Sequence, residues 1–144
     1  VRFFFKMKKE VKKILFVCKY NRFRSKVGEA IFNKLNKNKK IKAESAGTIM
    51  SNPVAKNIIK VMKEKGYRIK SSKPQYISQE VVSNSDIIVI VADNVSRSIF
   101  KKYHKKVIVW KISDTRKDDY EGILKRIKLI ENKVKSLVDK LNNI

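Results

Sequence analysis

The chain has 144 residues, 42% of them hydrophobic, and its 36 Lys and Arg against 13 Asp and Glu give a formal net charge of +23. This length and composition predict one folded domain over residues 1–144. No apolar run approaches the roughly 20 residues of a membrane-spanning helix, so we expect no membrane insertion and a cytoplasmic location. The charge favours anionic ligands and nonspecific polyanion binding, but lysines dispersed through every segment are not a specific signal for nucleic-acid readout.

The N-terminal segment VRFFFKMKKE is basic and contains three Phe residues. Its apolar part is too short for the centre of a secretory signal. Because Met7 would make a natural start, residues 1–6 are predicted to be a dispensable extension.

The first half of the chain alternates strand and helix patterns. Residues 11–17 end in an apolar run typical of a strand buried on both faces of a sheet. A helix is predicted after the polar stretch 18–25, and then come a loop at 36–40 and a second strand at 41–46, closed by Gly47. The apolar stripe of that first helix consists of Val27, Ala30, Ile31 and Leu35.

The next segment contains a second helix and a third strand. Asn52 and Pro53 predict the N-cap and first turn of this helix, and Gly66 predicts its end. Its apolar stripe consists of Ala55, Ile58, Ile59 and Met62. A short helix near 78–83 is then expected before a strand at 86–91 that is buried on both faces.

The last third predicts a helix at 94–103, a buried strand at 107–110 and a long helix that begins near Asp118 or Asp119. The apolar positions of the long helix are Ile123, Ile127, Ile130, Val134, Leu137 and Leu141. Strands that alternate with helices through short connections predict an α/β domain with a four-stranded parallel sheet and helices on both faces.

The segment CKYNRFRS, residues 18–25, lies between the first strand and the first helix. In open α/β sheets, ligands bind beyond the carboxyl ends of the strands. The start of a helix also provides unpaired backbone N–H groups and the positive end of the helix dipole. We therefore expect this phosphate loop, as we name residues 18–25, to bind a tetrahedral anion.

Five residues separate Cys18 from Arg24, enough for the loop to curl so that its amides point inward. Cys18 is the candidate nucleophile, and Arg24 offers a planar fork for two phosphoryl oxygens, which Lys cannot reproduce. The positive field favours the thiolate form, to which Ser25 can donate a hydrogen bond. Asn21 tolerates a left-handed backbone and can brace the loop. The predicted phosphate-binding residues are Lys19, Tyr20, Asn21, Arg22, Phe23, Arg24 and Ser25.

Cys18 and His104 are the sole cysteine and histidine of the sequence. One cysteine excludes an intramolecular disulfide and a multi-thiolate metal site. His104 lies in the basic run KKYHKK and is interpreted as a surface residue. We expect neither a metal nor a cofactor.

Several motifs together resemble the low-molecular-weight protein tyrosine phosphatases and the related arsenate reductases. The segment ILFVCKYNRFRS resembles their phosphate loop, and SAGT, residues 45–48, resembles the turn after their second strand. Residues 53–66 resemble their second helix. DIIVIVADN resembles their third strand and the aspartate after it, and VWKISD, which ends at Asp114, resembles the approach to their general acid.

The resemblance implies a two-step reaction without a cofactor. Cys18 would attack phosphorus, Arg24 and the loop amides would stabilise the equatorial oxygens, and Asp114 would protonate the leaving oxygen. Water would then hydrolyse the cysteinyl-phosphate, with Asp114 as base. Ser45 and Asn21, with Ser25, are the expected supporting residues. Asp118 and Asp119 are rival acids that are better placed to serve the first turn of the last helix.

The chain departs from the family pattern at four positions. Many family members carry a second cysteine where Phe23 stands, so a protective disulfide beside Cys18 is not available. Tyr20 stands where the family usually has Gly, and Thr115 and Arg116 replace the Pro and the aromatic residue that normally follow the acid. The aromatic wall for a phosphotyrosine ring is therefore partly missing, and Tyr120, or Ile49 with Met50, could supply apolar contact instead.

These observations predict a monomeric phosphomonoester hydrolase, a protein tyrosine or aryl phosphatase, which acts on a phosphorylated protein or a small aryl phosphate and releases inorganic phosphate. One alternative is a single-cysteine arsenate reductase that uses an external thiol. Another is a basic module that binds phosphate or nucleic acid with an inactive pocket. Phosphoarginine is disfavoured as a substrate, because Arg22 would place positive charge beside a guanidinium leaving group.

Overall fold

The computed structural model describes residues 10–142. Four parallel strands form one sheet in the order β2-β1-β3-β4. They are β1 (Lys13–Cys18), β2 (Lys42–Gly47), β3 (Ile87–Val91) and β4 (Lys106–Trp110). The predicted α/β domain with four parallel strands is confirmed, whereas the interpretation of residues 1–6 falls outside the described residues.

The helices lie between the strands in the chain, except the last helix, which follows β4. They are α1 (Arg24–Leu35), α2 (Lys56–Glu64), α3 (Gln79–Ser83), a 3₁₀ helix (Arg97–Tyr103) and α4 (Tyr120–Asn142). No helix in residues 10–142 is long and apolar enough to span a membrane.

Two hydrophobic cores lie on opposite faces of the sheet. In β1, Ile14 and Phe16 belong to the core that α1, α2 and α4 cover. Leu15 and Val17 belong to the other core, which α3 and the 3₁₀ helix cover through Val82 and Phe100. Because successive strand residues point to opposite faces, the continuous apolar run of β1 serves both cores. This confirms the prediction of helices on both faces.

Three predicted elements differ from the structure. α2 begins at Lys56 and follows Ala55, so Asn52 is not its N-cap. The reason is a long-range contact: the Val54 N–H donates to the Ser72 carbonyl at 2.9 Å, which keeps this segment outside the helix. The expected helix at 94–103 is the shorter 3₁₀ helix, whose N-cap is Ser96.

The third difference is β4, which is an edge strand. Its central residues Val107, Ile108 and Val109 are partly buried rather than fully buried. At the end of α2, Gly66 has φ +88, as the prediction of a helix stop requires. His104 is exposed at the end of the 3₁₀ helix, in agreement with its interpretation as a surface residue.

Candidate active site

The phosphate loop begins at the end of the central strand β1. Cys18 is the last residue of β1 and pairs in register with Gly47 of β2. The loop turns over residues 19–23, and α1 begins at Arg24. Phe23, at the N-cap position of α1, makes no side-chain cap hydrogen bond. The first turn of α1 therefore keeps backbone N–H groups that an anion can accept from.

The Cys18 thiol is buried and has two polar neighbours. Its Sγ accepts a hydrogen bond from the Asn21 N–H at 3.3 Å. The Ser25 hydroxyl lies 2.9 Å from the same sulfur. The Asn21 N–H donates to sulfur, and the Ser25 hydroxyl is close enough to donate as well. Hydrogen bonds of this kind favour the nucleophilic thiolate form of a cysteine.

Asn21 organises the loop from within. It has φ +52, so the residue expected to tolerate a left-handed backbone does adopt one. Its side chain is fully buried. The Asn21 Nδ2 donates to Ser25 Oγ at 2.8 Å, and its Oδ1 accepts from the Gln75 N–H at 2.7 Å. Asn21 thus joins the Cys18–Ser25 pair to a distant part of the chain.

That distant part is a segment without helix or strand, residues 72–77, which we call the strap. Gln75 accepts from the Gly47 N–H at 2.8 Å and donates from Nε2 to the Ser45 carbonyl at 3.0 Å. The Lys26 ammonium donates to the Lys73 carbonyl at 2.9 Å. The strap therefore ties the end of β2, the phosphate loop and the first turn of α1 together.

Gly47 allows this close approach. A Cβ atom at this position would lie 2.8 Å from the backbone N of Asn21 and 2.8 Å from the backbone C of Tyr20. Those atoms are part of the backbone of the phosphate loop, so they cannot move aside as the end of a flexible side chain would. Glycine is required here because the loop packs directly on the end of β2.

A polar cluster lies beneath the loop. The Ser45 hydroxyl, expected to support the loop, donates instead to Glu29 Oε1 at 2.5 Å. The link from Ser45 to the phosphate loop is indirect: the Ser45 carbonyl accepts from Gln75, and Gln75 in turn donates to Asn21. Burial raises the pKa of Glu29, and the hydrogen bond from Ser45 partly offsets this. Burial lowers the pKa of Lys26, and the charges of Glu29 and Cys18 partly offset that shift.

Arg24 is almost fully buried, and its guanidinium meets the ends of β3 and β4. Its Nη1 donates to the Ile112 carbonyl at 2.9 Å and lies 3.7 Å from Asp93 Oδ1. Its Nη2 lies 3.7 Å from Asp114 Oδ2. The structure thus brings together two residues that the sequence singled out, Arg24 and Asp114, which are 90 positions apart in the chain.

The three candidate acids have different surroundings. Asp119 caps α4 by accepting from the Gly122 N–H at 3.0 Å, and it also accepts from Thr115 Oγ1 at 2.8 Å. Both bonds lower the pKa of Asp119. Asp118 is exposed and pairs with Arg116 at 3.1 Å. Asp114 is the one of the three whose carboxylate lies within 4 Å of Arg24.

The family model for the low molecular weight phosphotyrosine protein phosphatases matches residues 13–143, which include the phosphate loop and all three aspartates. The chain belongs to this family. No curated protein sequence matches the chain significantly.

Solved structures of three kinds resemble this member of the phosphatase family. An arsenate reductase from Archaeoglobus fulgidus is 29% identical with a TM-score of 0.72, over 88% of this chain and 98% of that one. A low molecular weight protein tyrosine phosphatase from T. tengcongensis is 24% identical with a TM-score of 0.79, over 89% and 98%. The YwlE arginine phosphatase from Geobacillus stearothermophilus is 20% identical with a TM-score of 0.79, over 92% and 94%. The likeness below 25% identity shows the fold alone.

The outer face of the loop in this phosphatase-family chain is cationic. The Arg22 guanidinium lies 4.3 Å from the centre of the Tyr20 ring, and the Lys19 ammonium lies 5.5 Å from it. The Arg22 Nη1 also donates to Ser51 Oγ at 3.5 Å. Stacking on Tyr20 holds the positive charge of Arg22 at the rim of the phosphate loop.

A cleft of about 410 Å³ adjoins this rim. Phe23 is buried and contributes to its floor, and residues 114–118 form part of its wall. The apolar side chains expected to replace the aromatic wall, Tyr120, Ile49 and Met50, are exposed and do not line the cleft.

The sequence did not predict four contacts of this site. They are the bond of Gln75 to Asn21, the bond of Lys26 to the strap, the bond of Arg24 to the Ile112 carbonyl and the contact of Asp93 with Arg24. The position of Asp93 just after a buried strand was a usable signal, because the carboxyl ends of parallel strands share one edge. The strap carries no such pattern.

Proposed function

We propose that the protein is a cysteine-dependent phosphomonoester hydrolase that acts on phosphotyrosine or related aryl phosphates. One observation carries the proposal. The Cys18 thiol accepts from the Asn21 N–H and contacts the Ser25 hydroxyl, in a loop that ends at Arg24 beside Asp114. Membership of the phosphatase family supports the same reaction class.

In the first step, the Cys18 thiolate attacks phosphorus, and the bond from phosphorus to the leaving oxygen breaks. The protonated Asp114 gives its proton to that oxygen, and the alcohol or phenol departs. Arg24 and the amides at the start of α1 stabilise the negative charge on the three equatorial oxygens. The Arg24 guanidinium is already held at the Ile112 carbonyl and needs little reorganisation.

In the second step, water attacks the cysteinyl-phosphate and gives a proton to the Asp114 carboxylate. The phosphorus–sulfur bond breaks, inorganic phosphate is released, and sulfur leaves as the thiolate. The Ser25 hydroxyl, 2.9 Å from sulfur, stabilises this leaving group by donating a hydrogen bond. The strap helps both steps because it fixes Asn21, which in turn fixes Ser25.

Hydrolysis of p-nitrophenyl phosphate by the wild type and by Cys18→Ser tests this proposal. We expect turnover by the wild type between pH 5 and 8 and no turnover above background by the variant. Inorganic phosphate should still bind to the variant in calorimetry, because Arg24 and the loop amides remain. A wild type that binds phosphate but hydrolyses nothing in this pH range would contradict the proposal and would favour a binding module.

A second candidate is arsenate reduction with an external thiol, which the 29% identity with the arsenate reductase of Archaeoglobus fulgidus favours. Cys18 is the only cysteine of the sequence, so no relay to a second cysteine is available within it. Arsenate reduction should be measured beside phosphate-ester hydrolysis with glutathione as the thiol. Reduction that exceeds hydrolysis would favour the reductase.

Phosphoarginine is a weaker candidate substrate, although the YwlE arginine phosphatase shares the fold. The Arg22 guanidinium at the rim would repel a guanidinium leaving group. We expect phosphotyrosine to be hydrolysed faster than phosphoarginine, and the opposite order would refute this preference.

A further inference from the structure

The cleft beside the phosphate loop has a size and a lining suited to more than a phosphoryl group. Its volume of about 410 Å³ falls within the usual range of ligand pockets. Phe23, Pro53, Ile58 and Ile123 contribute apolar surface to it. Because Asp114 also lines the cleft, a leaving oxygen protonated by Asp114 would have its attached group in this space.

The two walls of the cleft are joined to each other. The Asn57 Nδ2, on α2, donates to the Lys117 carbonyl at 2.5 Å. The Thr115 hydroxyl donates to Asp119, which caps α4. Hydrogen bonds at both ends of the wall segment 114–118 preorganise the cleft, which lowers the entropic cost of binding.

The charges of the cleft do not cancel. Its two acids already face arginines, since Asp114 lies 3.7 Å from Arg24 and Asp118 lies 3.1 Å from Arg116. Among residues 10–142, no carboxylate lies within 4 Å of the cationic group of Arg22 or of Lys117, which line the cleft from different segments. The cleft therefore combines an apolar floor with two uncompensated positive charges.

We propose that this cleft binds the residues flanking the phosphorylated side chain of an acidic phosphopeptide; this inference rests on the proposed function. Apolar parts of the peptide cover the floor, while flanking Asp or Glu side chains face Arg22 and Lys117. A compact polyanion fits less well, because it would leave the apolar floor uncovered and would meet cations that come from separate segments.

The net charge of +23 would attract any acidic peptide. The experiment therefore has to distinguish the effect of the charges in the cleft from the effect of the net charge. Three phosphotyrosine peptides that differ only in their flanking residues, acidic, neutral or basic, are compared by kcat/KM. The wild type should prefer the acidic peptide over the basic one by about 10-fold at low salt, mainly through KM. At 1 M salt this ratio should approach one.

Lys117→Glu reverses one charge of the cleft and should reduce the acidic-to-basic ratio at least threefold. Lys39→Glu is the matched control. Lys39 is exposed and lies just before β2 begins, at the opposite end of the strands from Cys18. The control should keep the wild-type ratio. Equal ratios in the wild type and Lys117→Glu, or equal losses in both variants, would overturn the inference.

Hydrolysis of p-nitrophenyl phosphate by the wild type is measured in the same series. Wild-type turnover of this compound without discrimination among the peptides rejects the cleft proposal and leaves the proposed function standing. A wild type that hydrolyses neither p-nitrophenyl phosphate nor any peptide rejects both. Faster turnover of a bisphosphorylated sugar than of the acidic peptide also rejects the cleft proposal.

Discussion

The inner and outer sides of the phosphate loop differ sharply in how they are held. On the inner side, Asn21, Ser25 and Lys26 are buried, and each side chain hydrogen-bonds to a partner within the protein. On the outer side, Lys19, Tyr20 and Arg22 are only partly buried, and the Arg116–Asp118 pair of the adjoining cleft is largely exposed. The inner side is a satisfied hydrogen-bond network, whereas the outer side is a charged surface open to a ligand.

This contrast separates two roles within one loop. A buried network in which every member has a partner keeps the Cys18 sulfur in one position, because each broken bond would leave a buried polar group unsatisfied. Exposed charges cost little to rearrange and contribute little to stability. We therefore expect changes on the inner side to impair all substrates alike and changes on the outer side to alter the preference among substrates.

After Cys18→Ser, the largest expected effect comes from Arg24→Lys. Lysine keeps the charge but loses the planar fork and the hydrogen bond to the Ile112 carbonyl. We expect kcat to fall by about 10²–10³-fold for every substrate, since one lost transition-state donor typically costs this much. Steady-state kinetics with an aryl phosphate and a peptide check the result. A loss restricted to one substrate would contradict the expectation that changes on the inner side impair all substrates alike.

Asp114→Asn should have the next largest effect, and it should depend on the leaving group. General acid catalysis is worth about 10²-fold or more when the leaving oxygen is basic and much less when it is not. Phenyl phosphate should therefore lose more activity than p-nitrophenyl phosphate. Asp118→Asn is the matched control and should leave the ratio of the two rates unchanged. An equal loss for both esters would argue against Asp114 as the acid.

Gly47→Ala tests the packing of the loop on β2. The added Cβ would lie 2.8 Å from loop backbone atoms, so the loop must shift. We expect about a 10-fold loss of kcat and a fall of about 1–3 kcal/mol in the free energy of unfolding. Urea denaturation and p-nitrophenyl phosphate assays measure the two effects.

Gly66→Ala provides the comparison for that change. Gly66 has φ +88 with open space around it, so alanine should cost about 1–2 kcal/mol through backbone strain alone. Its kcat should match the wild type, because Gly66 ends α2 away from the phosphate loop. A similar loss of activity in both glycine variants would mean that activity follows stability rather than loop geometry.

The smallest expected effect is that of Asp119→Asn on stability. Hydrogen bonds from Gly122 and Thr115 lower the pKa of Asp119 from its ordinary value of 3.8. Its ionised form therefore stabilises the folded state above about that pH, and the contribution disappears as the pH falls through the lowered pKa. The variant should melt slightly below the wild type at pH 7 and together with it in strong acid. Asp139→Asn, on the exposed face of α4, is the matched control for the removal of one carboxylate.

Local sequence patterns predicted the features that depend on residues close together in the chain, namely the central strands and the phosphate loop. The apolar runs at 11–17 and 86–91 identified the two central strands, because a strand covered on both faces must be apolar throughout. The spacing from Cys18 to Arg24 and the tolerance of Asn21 for positive φ placed the phosphate loop.

Long-range contacts determined the features that the sequence did not predict. Asn52 and Pro53 carry a helix-start pattern, yet the Val54 bond to Ser72 displaces the start of α2 to Lys56. Gln75 holds the loop from 54 positions away in the chain, and its neighbours have no periodicity that marks them. Ser45 was expected as a supporting residue, but its hydroxyl bonds to Glu29, a partner that the sequence pattern did not suggest.

The pairing of Cys18 with Gly47 has a consequence for how the protein loses its native state. Cys18, the proposed nucleophile, ends a strand with two hydrogen-bonded neighbours, and such central strands open only when most of the fold opens. Partial fraying at β4 or at the helix ends would leave the sulfur in place. Catalytic competence and cooperative structure should therefore disappear at the same denaturant concentration.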